Sequence, residues 1–93
     1  MKVSVTITDI KRGTAGDGTY CAVARALCRA SRAKGWYVGQ RCSSRGYYAK
    51  SPDNRLYELS DDVCRFIRKI DDGGSVEPIA FEIAIPSPNR SKR

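Results

Sequence analysis

Ninety-three residues carry 17 Lys and Arg against 10 Asp and Glu, with no histidine, for a net charge of +7. A chain of this length holds one hydrophobic core and leaves no room for a second. Apolar runs such as Ile79–Phe81 are far too short to cross a bilayer, and the missing histidine removes the commonest general base and metal ligand.

The first residues alternate, with Val3, Val5 and Ile7 on one side and Lys2, Ser4 and Thr6 on the other, which predicts a half-buried strand over 2–7. This pattern is not that of an export signal, so the chain is expected in the cytoplasm. Thr8 or Asp9 is placed to cap a helical turn through Arg12, and Gly13, Gly16 and Gly18 then make a loop. From Thr19 to Lys34 the segment is alanine-rich and free of proline, with Val23 and Leu27 four apart, which predicts a long helix stopped at Gly35.

Trp36–Gln40 and Gly46–Lys50 read as strands joined through Cys42-Ser43-Ser44-Arg45. Pro52 suits a turn leading into a further strand over Arg55–Leu59. Ser60 is placed to cap a second main helix. Asp61 and Asp62 meet its positive end, Arg68 and Lys69 its negative end, and Val63, Phe66, Ile67 and Ile70 form its buried stripe. Ile79, Phe81, Ile83 and Ile85 alternate as a last strand before Pro86, and residues 87–93 read as a disordered basic tail. The expectation is an α+β fold over residues 1–86, an antiparallel sheet of about four to five strands packed against two main helices.

Three fragments carry a resemblance: Val5-Thr6-Ile7-Thr8-Asp9-Ile10, Gly16-Asp17 leading to Cys21-Ala22-Val23-Ala24-Arg25-Ala26-Leu27, and Val63-Cys64-Arg65-Phe66-Ile67 through Val76-Glu77-Pro78-Ile79-Ala80-Phe81-Glu82-Ile83. Together they resemble a family of small proteins of tailed phages and prophages, in which proline tends to stand where this chain has Ala22. The resemblance implies a phage origin and a compact α+β fold, and it brings no catalytic residues to this sequence. Small phage proteins without an enzymatic signature are often inhibitors of host machines, anti-CRISPR proteins among them. The implied partner is a host protein or ribonucleoprotein defence complex, met in the host cytoplasm.

Signs of catalysis are few. Asp61-Asp62 and Asp71-Asp72 are the only acidic pairs, and capping and solvation explain both. Gly13-Thr14-Ala15-Gly16-Asp17-Gly18 precedes a helix, as phosphate-cradling loops do, but lacks the Walker lysine and the GxGxxG order. Cys21, Cys28, Cys42 and Cys64 contain no CxxC, so buried free thiols are expected rather than a zinc site or a disulfide framework. A nucleophile at Cys21, activated by a helix N-terminus, is the one enzymatic reading, and it lacks a histidine base. No enzyme activity, metal, cofactor, small-molecule substrate or membrane contact is expected.

Charge placement is the strongest signal. No Asp or Glu occurs between Gly18 and Pro52, while Arg25, Arg29, Arg32, Lys34, Arg41, Arg45 and Lys50 lie there. The rest of the chain balances, so this window holds the entire net charge. On a helix Arg25, Arg29 and Arg32 project within about 60° of one another. Like charges at this spacing repel, and a solubility surface normally mixes signs, so the stripe points to an anionic partner. Trp36 and Tyr37 join the candidate contact set as interface anchors or stacking platforms. The leading expectation is an inhibitor docking by steric occlusion on a nucleic-acid-containing or acidic surface. The alternative is a standalone nucleic-acid-binding module.

Overall fold

In a computed structural model, residues 1–40 and 46–83 are described, and the chain runs β1 (Lys2–Val5), α1 (Ile7–Arg12), α2 (Ala22–Ser31), β2 (Tyr37–Gln40), β3 (Tyr47–Lys50), β4 (Leu56–Glu58), α3 (Asp61–Asp71) and β5 (Ile79–Glu82). The fold is α+β. The expected single sheet is, among the described residues, two antiparallel sheets: β1 with β5, and β2-β3-β4. One hydrogen bond explains part of the split. The Val38 N–H at the β2 edge donates to Gly18 O at 2.9 Å, so the glycine loop occupies a position that a further strand would need.

The two ends of the described chain form the smaller sheet. Lys2 pairs with Glu82 and Val5 with Ile79, and the seam continues as the Ile83 N–H donates to Met1 O at 2.9 Å. The alternation predicted for residues 2–7 breaks after Val5, and Ile7 is 51% exposed at the start of α1. Local side-chain bonding causes the break. Thr6 Oγ1 accepts from the Asp9 N–H at 3.2 Å while Asp9 Oδ2 accepts from the Thr6 N–H at 2.9 Å, a reciprocal capping box that starts α1 at Thr6 rather than at Thr8 or Asp9.

The helix α2 is shorter at both ends than the predicted 19–34. At its start the Thr19 and Tyr20 N–H groups donate to Asp17 Oδ1 and the Cys21 N–H donates to Asp17 O, which holds the chain in a turn; the Cys21 thiol then takes the capping position, accepting from the Ala24 N–H at 3.5 Å. At its end the left-handed residue that closes the helix is Arg32, with φ 59° and ψ 32°, and Gly35, also at positive φ, lies three residues beyond it. Its N–H and that of Ala33 both reach back to Cys28 O, the latter at 3.2 Å, closing the helix as a Schellman turn does.

Val3 and Val5 of β1, Val23 and Leu27 of α2, Val38, Tyr47 and Ala49 of the larger sheet, and Val63, Phe66 and Ile67 of α3 meet in one core with Trp36 and Ile83. The stripe predicted for α3 is buried as expected, with Ile70 at its edge. Ser60 stands at the N-cap of α3 without a side-chain capping bond. Buried Cys64 ties α3 to β3, its sulfur accepting from the Tyr47 N–H at 3.3 Å. Cys21, Cys28 and Cys64 are free thiols, but only Cys64 is fully buried. The Cys42 loop, the end of the last strand at Ile85 and the tail 87–93 lie outside the described residues.

Candidate docking groove

Helix α2 buries Ala22, Val23, Ala24, Ala26 and Leu27, which leaves Arg25, Cys28, Arg29 and Arg32 along its opposite side. With Thr19 and Tyr20 before the helix and Ala33-Lys34-Gly35 after it, these residues line an open groove of about 820 Å³. Arg25, Arg29, Arg32 and Lys34 all reach it, and among the described residues no acidic one lines it. Sequence reasoning placed Arg25, Arg29 and Arg32 on one face and Lys34 in the same acid-free stretch, and the structure brings all four to the groove.

The acid missing from that stretch of sequence arrives from elsewhere in the fold. The Asp9 side chain, fully buried on α1, receives Arg29 Nη1 on Oδ1 at 2.8 Å and Arg29 Nη2 on Oδ2 at 2.6 Å, and Nη2 also reaches Ser4 O at 2.6 Å. Burial alone pushes the Asp9 carboxyl up, but the bonds from Arg29 and Thr6 outweigh it and hold the pKa below the ordinary carboxylate value. The same pairing raises Arg29. Arg29 therefore pins α2 to β1 and α1, and its charge is balanced within the fold. Arg25 Nε lies 3.5 Å from Asp9 Oδ1 and is buried without a hydrogen bond. Arg32 and Lys34 are exposed and make no ion pair among the described residues. Four groove cations thus face one buried carboxylate.

The other predicted contact residues are dispersed. Trp36, 2% exposed, is a core residue, donating Nε1–H to Ser31 Oγ at 2.8 Å and packing on Tyr57 with ring centroids 6.0 Å apart. Its rigid ring fills the space between α2 and the larger sheet, which removes it from the contact set. Tyr37 is exposed, but it lies on the outer face of that sheet opposite Lys50, away from the groove lining. Arg41 and Arg45 lie outside the described residues.

Tyr37 has a structural task of its own. Its ring stands 6.4 Å from that of Tyr48, and the two cover Gly39, where a Cβ would come within 2.6 Å of Tyr48. Its other edge rests on Gly18, where a Cβ would come within 2.6 Å of Val38 O. The glycine loop is therefore packed against β2. Its Gly16 N–H donates to Asp71 Oδ1 at 3.1 Å, so a carboxylate already occupies the place an approaching phosphate would want. Burial pushes the Cys21 thiol up, the opposite of what a nucleophile at that helix end requires.

Tyr20 went unmarked in the sequence, where it belongs to no periodic pattern. Its ring is 64% exposed, yet its backbone is held on both sides: the N–H donates to Asp17 Oδ1 at 3.1 Å, and the carbonyl accepts from the Thr14 N–H at 2.9 Å. Among the described residues no group of His, Cys, Asp and Glu is arranged to hold a metal ion, and no helix is long and apolar enough to cross a membrane.

Fold and site together define a small α+β domain with a basic groove along one helix. Compared with protein-family models, curated proteins and solved structures, the chain gives no match.

Proposed function

We propose that this is a binding protein that docks through the α2 groove on an anionic surface of a larger partner. The resemblance to small tailed-phage proteins supports a host defence complex as that partner, inhibited by occlusion in the manner of anti-CRISPR proteins. The observation that carries the docking reading is Arg32. A non-glycine residue in the left-handed region costs about 1–2 kcal/mol, and a helix ending of this type usually takes glycine. Here the position holds an exposed cation on the groove, beside Lys34, which likewise makes no ion pair among the described residues. A purely structural ending has no use for that charge.

The test is phage protection. Expressed in a host with an active nucleic-acid-guided defence, the wild-type protein should restore plaque formation, and Arg32→Glu with Lys34→Glu should abolish the effect while the purified variant stays folded. Full protection by the folded double variant would remove the groove from the mechanism. No protection by the wild-type chain across the main defence classes would remove the inhibitor reading. Arg29 is unsuitable for this experiment, because reversing it would disrupt the fold.

A further inference from the structure

Resting on the groove as an anionic docking site, we infer that its occupant is a short single-stranded nucleic-acid segment, with Tyr20 stacking on a base and Arg32 and Lys34 meeting phosphates. Charge alone fits an acidic protein surface equally well, and Tyr20 makes the difference. An exposed tyrosine on a loose loop loses entropy when it binds. Tyr20 is held by hydrogen bonds at its N–H and its carbonyl, so the backbone that carries the ring needs little further ordering. An aromatic face beside a cationic track is the arrangement that holds unpaired bases, because every base offers a π-face while phosphates follow the charge.

The dimensions agree. The ten residues of α2 span about 15 Å, room for a segment of a few nucleotides. Tyr20 and Arg25 lie toward the start of that span, and Arg32 and Lys34 toward its end. A duplex keeps its bases stacked and offers Tyr20 nothing, so the groove should favour a single strand. The groove floor includes Cys28 and Ala33, which suits the sugar and base edges that lie between phosphates.

The test is anisotropy of a short fluorescent single strand of mixed sequence, as DNA and as RNA, with its duplex and polyglutamate as comparison probes, on the full chain. The single strand should bind with a log–log salt slope near −1.4, about two phosphate contacts at roughly 0.7 each. Tyr20→Ala should weaken it by about 5- to 100-fold without changing that slope, and Tyr20→Phe should restore it. Duplex and polyglutamate should bind more weakly and ignore Tyr20→Ala. Equal binding of single strand and duplex, or indifference of the single strand to Tyr20→Ala, would overturn the inference. Binding of polyglutamate in preference to the strand would overturn it and leave the docking reading standing; binding of no probe at low salt would overturn both.

Discussion

Arg29 forks across the Asp9 carboxylate, with Nη1 on Oδ1 at 2.8 Å and Nη2 on Oδ2 at 2.6 Å, twenty residues apart in the chain and on different helices. Through this contact α2 is fixed against β1 and α1, because Nη2 also binds Ser4 O and Asp9 caps the helix it sits on. The basic stripe therefore contains two residues turned to the fold, Arg29 in this fork and Arg25 with its Nε 3.5 Å from the same carboxylate, with Arg32 and the neighbouring Lys34 left for a partner.

Arg29→Ala leaves a carboxylate buried without its principal partner, and urea denaturation should show a loss of about 3–5 kcal/mol. Arg29→Lys should recover only part of it, since an ammonium cannot bridge both oxygens and Ser4 O together. Equal stability of the wild-type and alanine proteins would mean that the pair contributes nothing net.

Acid should reveal the same contact. The Asp9 pKa is depressed in the folded state, so its contribution is fully present above the unfolded carboxylate value near 3.8 and is lost as the pH falls through the lower folded value. Melting temperature followed downward from pH 5 should drop more steeply in the wild type than in Asp9→Asn, which starts less stable and lacks this titration. Parallel curves would contradict the assignment.

Much of the fold is legible in the sequence, and the failures have local causes. Val63, Phe66 and Ile67 on α3 and Ile79, Phe81 and Ile83 near the end of the described chain follow simple periods, because each element buries one face. Residues 2–7 alternate just as plainly, yet Ile7 leaves the strand because Thr6 and Asp9 bond to each other's backbone, which hydropathy does not report. The end of α2 at Arg32 rather than Gly35 is likewise hidden, since the sequence offers the expected glycine three residues too late. As for the site, Arg25, Arg29 and Arg32 are readable from helical spacing, and Lys34 from the acid-free stretch that holds them. The pairing of Arg29 with Asp9 is not, because an acid-free stretch of sequence says nothing about which acid folds onto it. Trp36 and Tyr37 are adjacent in sequence, and the start of β2 sends one ring inward and the other outward.

Gly39 should tolerate no side chain. Alanine there would drive its Cβ against the Tyr48 and Tyr37 rings, and displacing them should cost about 1–3 kcal/mol by chemical denaturation. In Gly39→Ala combined with Tyr48→Ala the clash with the nearer ring is gone, so the double variant should lose less than the two single changes added together. Simple additivity would show that the rings do not press on Gly39.

Arg32 keeps its charge in the groove at the expense of helix-ending stability, and Arg32→Gly tests this against Lys11→Ala, an equal loss of charge on α1 outside the groove lining. Polyanion binding by both variants, measured across about 50–200 mM salt, is the decisive reading. Arg32→Gly should gain about 0.5–1 kcal/mol of stability, after allowing for the extra unfolded-state freedom of glycine, and should lose roughly one unit of salt slope. Lys11→Ala should lose neither slope nor affinity. Equal losses in the two variants would mean that overall charge, not the groove, attracts the partner.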